Sequence, residues 1–120
     1  MAWSFKNDRP IYTQLLEQIE QKIISGEYPA GSRVPSVREL AAEAAVNPNT
    51  MQRAMAELEN RGLIITNRTS GRMVTEDAQI LVEMKNDKAL GYTEEYMGKM
   101  TELGYGQKEI IELIKKGENE

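Results

Sequence analysis

The sequence contains no cysteine and no histidine among its 120 residues. Their absence excludes disulfide bonds, zinc sites of the Cys/His type, and catalysis by a cysteine nucleophile or a histidine base. Long hydrophobic runs are missing as well, since no apolar stretch approaches the ~18 residues of a membrane-spanning helix and the N-terminus has no signal-peptide pattern. We therefore expect a soluble, cytoplasmic protein without membrane association, metal or cofactor.

A surplus of positive charge is also missing, because the net charge is −4. Residues 1–75 nevertheless hold nine Lys/Arg and eight Asp/Glu, a net charge of +1, whereas residues 76–120 hold six and eleven, a net charge of −5. The segment from Arg33 to Arg72 alone has six basic and four acidic residues. The net charge therefore does not exclude that residues 1–75 bind a nucleic acid. Affinity would then depend on a few arginines at the interface and on two copies of the chain binding together.

Residues 33–62 contain the start and stop signals of two short helices separated by a tight turn. Ser36 followed by Glu39 is a capping box, which predicts that a helix begins at this serine. Asn47 is a second N-cap with Pro48 in the first helical position, and Gly62 is suited to ending the second helix. This arrangement is typical of a helix-turn-helix, whose second helix enters the DNA major groove.

Apolar and polar residues of the second predicted helix fall on opposite faces. Asn49, Gln52 and Arg53 lie on the polar face, where Asn and Gln suit adenine and Arg suits guanine. Thr50, at the helix N-terminus, suits a phosphate. On an isolated helix such residues would merely be solvated, but in this context they predict base recognition and favour an A·T-containing half-site. The apolar stripe, which is expected to pack inward, consists of Met51, Ala54, Met55 and Leu58.

Two short strands are predicted to follow, over residues 63–66 and 72–75, joined by a loop of turn-forming residues. We call residues 63–75 the wing. Arg68 and Arg72 are placed to reach a phosphate or a narrow minor groove. Gly71 lacks a Cβ and permits close approach of another backbone. An ordinary solvated hairpin would have the same composition, so the prediction depends on the two preceding helices.

Upstream, Pro10 begins a predicted helix that ends before Gly26. Trp3 and Phe5 precede this helix and are interpreted as an apolar lid, with stacking of Trp3 on a nucleic-acid base as the alternative. Residues 33–35 form a short extended piece that is expected to pair with the wing. The apolar stripe of the helix, which supplies core, consists of Ile11, Leu15, Leu16, Ile19, Ile23 and Ile24.

Residues 76–120 predict two amphipathic helices, the first starting near Glu76 and ending at Gly104. Gly91 weakens the first helix by roughly 1 kcal/mol relative to alanine, so a continuous helix and a helix broken near Gly91 are both compatible with the sequence. These helices enclose nothing of their own, and we expect them to pack against the same segment of a second chain. The expected homodimer interface consists of Ile80, Leu81, Met84, Tyr92, Tyr96, Met97, Met100, Leu103, Ile110, Ile111 and Ile114.

Four side chains of that set offer an alternative use. Tyr92, Tyr96, Met97 and Met100 would line a small hydrophobic site between subunits if an effector binds there, although ordinary dimer core is the simpler interpretation. The sequence does not name an effector.

Residues 10–75 resemble the DNA-binding domain of the GntR family of bacterial transcription regulators. The resemblance is carried by P-I-Y-T-Q-L from residue 10, G-E-Y-P-A-G-S-R-V-P-S-V-R-E-L-A from residue 26, V-N-P-N-T from residue 46 and R-A-M-A-E-L-E-N-R-G-L-I from residue 53. The V-N-P-N-T turn and the short C-terminal segment resemble the YtrA subfamily, in which such a tail replaces a large ligand-binding domain. The resemblance implies a repressor, of the kind found beside transport operons.

The resemblance also implies operator contacts by Arg38 in P-S-V-R-E-L, by Thr50 and Arg53 of the second helix, and by Gly71 of the wing. Many family members carry arginine at the positions of Pro48 and Gln52, so their guanine-centred recognition does not transfer to this chain. The full set of residues expected to bind DNA is Arg33, Arg38, Asn49, Thr50, Gln52, Arg53, Arg68, Gly71 and Arg72.

These features together predict a mainly α fold with a small β-hairpin, namely a winged helix-turn-helix over residues 1–75 and a two-helix dimerisation tail over residues 76–120. We expect a sequence-specific transcription regulator, a homodimeric repressor that binds an inverted repeat in double-stranded DNA. One alternative is an architectural DNA-binding or protein-interaction module without an effector. An enzyme using Asp77, Glu94 or Glu95 is not expected, because these acids lack convergent partners and a Gly-rich loop.

Overall fold

The computed structural model describes residues 3–118 and contains, within them, five helices and one two-stranded hairpin. The chain divides into two compact units, an N-terminal unit that ends at Val82 and a C-terminal unit that begins at Glu83. The predicted mainly α fold with a small hairpin is confirmed. The elements are α1 (Ile11–Ile24), α2 (Val37–Ala44), α3 (Pro48–Asn60), β1 (Ile64–Asn67), β2 (Gly71–Val74), α4 (Ala78–Glu102) and α5 (Gln107–Glu118).

The division between the units falls within α4, later in the chain than the predicted boundary after Thr75. Asp77 caps α4 by accepting a hydrogen bond from the Gln79 amide at 2.9 Å. Ile80 Cδ1 lies 3.2 Å from the position that a Cβ on Gly62 would take. The first turn of α4 therefore packs on the N-terminal unit, which the sequence pattern did not reveal because Ile80 also fits the apolar stripe of the following turns.

The caps of α2 and α3 form as predicted. Ser36 Oγ accepts a hydrogen bond from the Glu39 amide at 3.1 Å, and Glu39 Oε1 accepts one from the Ser36 amide at 3.2 Å. The backbone and side-chain hydrogen bonds from Ser36 hold the pKa of Glu39 below its ordinary value. Asn47 Oδ1 accepts from the Asn49 amide at 2.8 Å, and Pro48 occupies the first helical position. Local side-chain chemistry thus fixes both helix starts.

The end of α3 depends on a glycine. Gly62 has φ +80°, and the Leu63 amide donates to the Leu58 carbonyl at 3.0 Å, which satisfies a carbonyl left free at the helix end. A side chain at Gly62 would be strained by this φ and would also meet Ile80. The predicted helix end is confirmed.

The core of the N-terminal unit lies where α1 and α2 pack against α3. Ile11, one of the residues predicted to supply this core, is instead 39% exposed, because it is the first residue of α1 and burial begins only at Gln14. Ile24, at the other end of the helix, is half-buried. The core residues from these helices and from the strands include Leu15, Leu16, Ile19, Ile23, Leu40, Met51, Met55, Leu58, Ile64 and Val74.

The hairpin has three-stranded character because an earlier segment joins it. β1 and β2 pair antiparallel, from Ile64 opposite Val74 to Asn67 opposite Gly71. Compared with the predicted strands, β1 is shifted by one residue toward the C-terminus and β2 by one residue toward the N-terminus. Arg33 forms a bridge with Met73 on the other side of β2. The Val34 amide donates to the carbonyl of residue 72 at 2.9 Å, and the predicted pairing of residues 33–35 with the wing is confirmed.

An N-terminal arm, residues 3–9, lies along α1 and is bound by two glutamines. The Gln14 side chain accepts from the Lys6 amide at 2.8 Å and donates to the Lys6 carbonyl at 2.8 Å. Gln18, one turn later, bonds both backbone groups of Ser4. Trp3 and Phe5 on this arm are half-buried and stack with ring centroids 6.4 Å apart. The predicted apolar lid is therefore present, and it covers α1.

The C-terminal unit consists of most of α4 followed by α5. The helix α4 runs without a break through Gly91, so the alternative of a broken helix is excluded. A Cβ added at Gly91 would have no atom within 4 Å. Gly104, with φ +94°, follows α4, and the Tyr105 amide donates to the Met100 carbonyl at 3.1 Å, which is the predicted glycine-ended helix. No helix within residues 3–118 is both long and apolar enough to cross a membrane.

Candidate nucleic-acid interface

The face of α3 that points away from the core is polar and open. Asn49, Gln52 and Arg53 are exposed, whereas Met51 and Leu58 on the opposite face are fully buried. The predicted division of this helix into an inner and an outer face is confirmed. Thr50, at the edge between the two faces, is half-buried. The first turn of α3 carries no acidic residue, so nothing opposes the partial positive charge of the helix N-terminus.

The turn between α2 and α3 is short and tightly held. Ala45 has a left-handed conformation with φ +56°, a conformation that L-residues other than glycine adopt rarely. The Val46 amide donates to the Ala41 carbonyl at 3.1 Å across the turn. This bond closes the end of α2 directly before Asn47, the N-cap of α3, and so gives the short turn that a helix-turn-helix requires.

Arg53 has an aromatic partner that the sequence did not reveal. Its Cζ lies 4.5 Å from the ring centroid of Tyr12, the second residue of α1. Tyr12 has helical spacing with Leu15, Leu16 and Ile19, and this spacing was the available signal that its ring faces α3. The contact is a cation–π interaction between α1 and the candidate recognition helix α3.

The tip of the wing is shaped by Asn67. Its Oδ1 accepts hydrogen bonds from the Thr69 amide at 2.9 Å and from the Ser70 amide at 3.3 Å. Gly71 follows with φ +81°, and Arg33 Nε lies 3.6 Å from the position that a Cβ on Gly71 would take. The side chain of Arg68 is exposed at this tip. The glycine thus serves the turn through its positive φ, but the nearest atoms to its side are those of the Arg33 side chain and not the second backbone that the sequence predicted.

Arg72 is bound to α3 by a carboxylate that sequence reasoning missed. Its Nε lies 2.5 Å from Glu59 Oε1, and Thr66 Oγ1 donates to the other oxygen of Glu59 at 2.7 Å. Partial burial opposes ionisation, but the hydrogen bonds from Thr66 and Arg72 and the charge of Arg72 hold the pKa of Glu59 below its ordinary value. Any phosphate contact by Arg72 therefore competes with an existing ion pair.

Two of the predicted arginines, Arg38 and Arg68, are exposed and have no carboxylate partner among the residues described. A third, Arg33, lines a cleft of about 230 Å³ between the wing and the start of α2. Guanidinium, hydroxyl and backbone groups in such a cleft suit an anion. The lining residues are Arg33, Val34, Pro35, Ser36, Thr66, Gly71 and Arg72.

Known proteins share this architecture. Residues 11–74 match the family described as bacterial regulatory proteins, gntR family. The chain is 38% identical over 111 residues to the uncharacterised HTH-type transcriptional regulator YhcF of Bacillus subtilis, with 92% of each chain covered. It is 41% identical over 81 residues to the HTH-type transcriptional repressor YtrA of Bacillus subtilis, with 67% of this chain and 62% of that one covered.

A solved structure agrees with these sequence relatives. The GntR family transcriptional regulator from Listeria monocytogenes has a TM-score of 0.85 and 42% identity, covering 93% of this chain and 98% of its own. The similarity extends through the C-terminal helices and is not confined to the winged helix-turn-helix. The chain therefore belongs to the gntR family of bacterial regulatory proteins and is a transcription regulator with a DNA-binding winged helix-turn-helix.

Proposed function

We propose that the protein is a homodimeric repressor whose two α3 helices bind an inverted repeat in double-stranded DNA. The open face of α3 carries the proposal, because Asn49, Gln52 and Arg53 are exposed on a helix whose other face is fully packed. In a two-fold dimer the two copies of α3 would occupy half-sites roughly 34 Å apart, one turn of the duplex.

The side chains on α3 favour a mixed half-site. Asn49 and Gln52 each offer the donor and acceptor that match adenine N7 and N6, while Arg53 matches the two acceptors of guanine. Two amides and one guanidinium predict that A·T pairs outnumber G·C pairs at the contacted positions. Selected sites with G·C pairs at all of these positions would contradict this assignment.

Phosphate contacts are assigned to the arginines around α3. Arg38 and Arg68 are exposed without an ion pair among residues 3–118, and Arg33 lines the cleft beside the wing. Thr50 stands at the helix N-terminus, where backbone amides favour a phosphate oxygen. A single domain with so few cations would bind weakly, which supports a second copy in the complex.

The C-terminal unit supports a second copy independently. Of its described apolar residues, Met84 and Ile110 are buried, whereas Tyr92 is 63% exposed, Leu103 is 72% exposed and Ile114 is 53% exposed. Apolar side chains in these numbers on two helices favour burial against another surface. We assign that surface to the same unit of a second chain, and we assign Tyr92, with Tyr96, Met97 and Met100, to this interface in preference to an effector site.

The test begins with selection of duplexes from a random library by the wild-type protein. Arg53→Ala is expected to weaken binding to the selected duplex by roughly tenfold to hundredfold and to relax one base position. Arg38→Ala is expected to weaken binding to all duplexes alike. It should also make the slope of log K against log salt concentration shallower by ~0.9 for each phosphate that the arginine neutralises. Arg9→Ala, which removes an exposed arginine paired with Glu17 on α1, is the control and should leave affinity unchanged.

Fluorescence anisotropy over a range of salt concentrations measures both quantities. Failure of selection to enrich any sequence, with equal binding to all duplexes, would contradict a sequence-specific repressor and favour an architectural protein. Unchanged affinity after Arg38→Ala would remove that arginine from the interface.

A further inference from the structure

We infer that Tyr12 is a positioning residue for base recognition by Arg53. The inference rests on the proposed DNA-binding function of α3, but it concerns a residue of α1, outside both the helix-turn-helix and the wing. The observation behind it is the cation–π contact between the Arg53 guanidinium and the Tyr12 ring, with Cζ 4.5 Å from the ring centroid.

The geometry of a guanidinium makes this contact useful for recognition. Stacking occupies one flat face of the group, whereas its N–H donors point outward in the plane. An arginine held by its face therefore keeps its edge free for two parallel hydrogen bonds to guanine O6 and N7. We infer that Tyr12, which lies under the guanidinium, restrains Arg53 in this way and leaves free the edge that would bind a base.

Other arginines of the N-terminal unit are held in the opposite way. Arg61 places its Nε 2.7 Å from a carboxylate oxygen of Glu57, and Arg72 places its Nε 2.5 Å from one of Glu59. In both pairs the carboxylate occupies part of the hydrogen-bonding edge. Arg53 has no carboxylate partner among the described residues, although it lies on the same helix as two glutamates.

Tyr12 is itself firmly placed. It is half-buried, and the next turns of α1 carry Leu15 and Ile19, which are 0% and 1% exposed where α1 packs against α3. The ring therefore moves with the core, and an arginine stacked on it loses part of its freedom before DNA arrives. Ordering Arg53 in advance lowers the entropy lost on binding.

The expected effect follows from the usual strength of such contacts. Loss of a cation–π contact at a partly exposed site changes a binding constant by roughly twofold to thirtyfold. We expect Tyr12→Leu to weaken binding to the duplex selected by the wild-type protein within that range, and to relax preference at the base pair that Arg53 contacts. Tyr12→Phe keeps the ring and should restore both affinity and preference.

Affinities are measured by anisotropy with the selected duplex and with an unrelated duplex of equal length. Tyr28→Leu is the matched control, because Tyr28 is also half-buried but its ring is the cation–π partner of Lys22, with Nζ 5.7 Å from the centroid, and not of Arg53. In an Arg53→Ala background, Tyr12→Leu should have no further effect on the selected duplex. Binding to the unrelated duplex should stay unchanged in every Tyr12 variant.

The outcomes separate the two proposals. A wild-type protein that selects no sequence would refute the proposed function, whereas selection together with full affinity of Tyr12→Leu would refute only the positioning role. Tighter binding by Tyr12→Leu would also refute it, since the stack would then withhold Arg53 from DNA. Additive losses in the double variant would show that Tyr12 acts through the fold and not through Arg53.

A measurement on the wild-type protein makes the test independent of how the variants fold. Protons above an aromatic ring resonate upfield, so the side-chain protons of Arg53 nearest its guanidinium should be shifted upfield in the NMR spectrum of the free protein. Random-coil shifts at these protons would overturn the proposal.

Discussion

Replacement of Glu59 by glutamine should lower the stability of the protein and at the same time strengthen its binding to DNA. Glu59 is the carboxylate on α3 that binds Arg72 Nε at 2.5 Å and accepts from Thr66 at 2.7 Å. Glu59→Gln keeps the size of the side chain and an oxygen for Thr66, but it removes the charge that holds Arg72. The wing then loses an ionic attachment to α3, and Arg72 becomes available to a phosphate.

The stability loss is modest because the pair is partly exposed, with side-chain exposures of 25% for Arg72 and 30% for Glu59. Such a pair contributes about 0.5–1 kcal/mol after screening by solvent. For a protein of this size that corresponds to a fall in Tm of roughly 2–5 °C. The gain on DNA appears in the salt dependence, which should steepen by ~0.9 in log K against log salt for each arginine that gains a phosphate.

Acid should remove the stability difference. Because the pKa of Glu59 in the folded protein lies below its ordinary value, the contribution of Glu59 to stability is fully present above the unfolded pKa and is lost as the pH falls through the folded pKa. Wild-type protein and Glu59→Gln should therefore differ in Tm near pH 7 and converge in acid, as the pH falls through the lowered pKa of Glu59. Thermal melts monitored by circular dichroism at a series of pH values check this.

Glu57→Gln is the matched control, since it removes one negative charge from the same helix. Its partner Arg61 also binds Glu20, at 3.0 Å, and is not released. Anisotropy titrations of both variants between low and physiological salt should show the steeper slope in Glu59→Gln alone. Equal slopes in the two variants, or weaker binding by Glu59→Gln, would refute the reasoning and show that the ion pair positions the wing and does not restrain Arg72.

Two further predictions concern the helices and the proposed dimer. Tyr92→Asp should weaken the dimer by roughly a hundredfold, because a C2 interface loses the burial of two rings, about 3 kcal/mol in all. Leu90→Asp is the control and should leave dimerisation unchanged. Leu90 is 60% exposed, close to the 63% of Tyr92, but it lies about 160° away from Tyr92 around α4. Sedimentation equilibrium compares them, and dimerisation unaffected by either change would contradict the assigned interface. Gly62→Ala should destabilise the protein by about 1–2 kcal/mol because its φ is +80° and Ile80 lies at 3.2 Å from the new Cβ. Gly91→Ala, which meets nothing within 4 Å in α4, should stabilise it by up to ~1 kcal/mol, and chemical denaturation that gave both changes the same sign would contradict this account.

Sequence signals located the helix boundaries and faces of the N-terminal unit because those features depend on neighbours in the chain. Ser36 and Asn47 form the predicted caps, and Gly62 ends α3 with a positive φ. The exposure of Asn49 and Gln52 also followed from helical spacing alone. The exposed polar residues of α3 could therefore be predicted from the order of amino acids alone.

The pairings around that site could not be predicted in the same way, since they join residues that are far apart in the sequence. Tyr12 and Arg53 meet because α1 packs on α3, and no local pattern specifies which side chain of another helix an arginine will contact. Arg72 was assigned to DNA from its charge, yet Glu59 binds it. The continuity of α4 through Gly91 was undecided because one glycine costs less than the remaining turns of the helix contribute.

The bridge between Arg33 and Met73 has a consequence for how this wing can change. β2 is bonded on both sides, to β1 and to the segment that leads into α2, and these bonds join backbone groups, which every residue other than proline provides. The position of the hairpin is therefore independent of the side chains at its exposed tip, residues 68–70. That tip can be replaced in evolution or by design without moving α2 or α3, so that the proposed phosphate contact of Arg68 and the proposed base contacts of α3 can be changed separately.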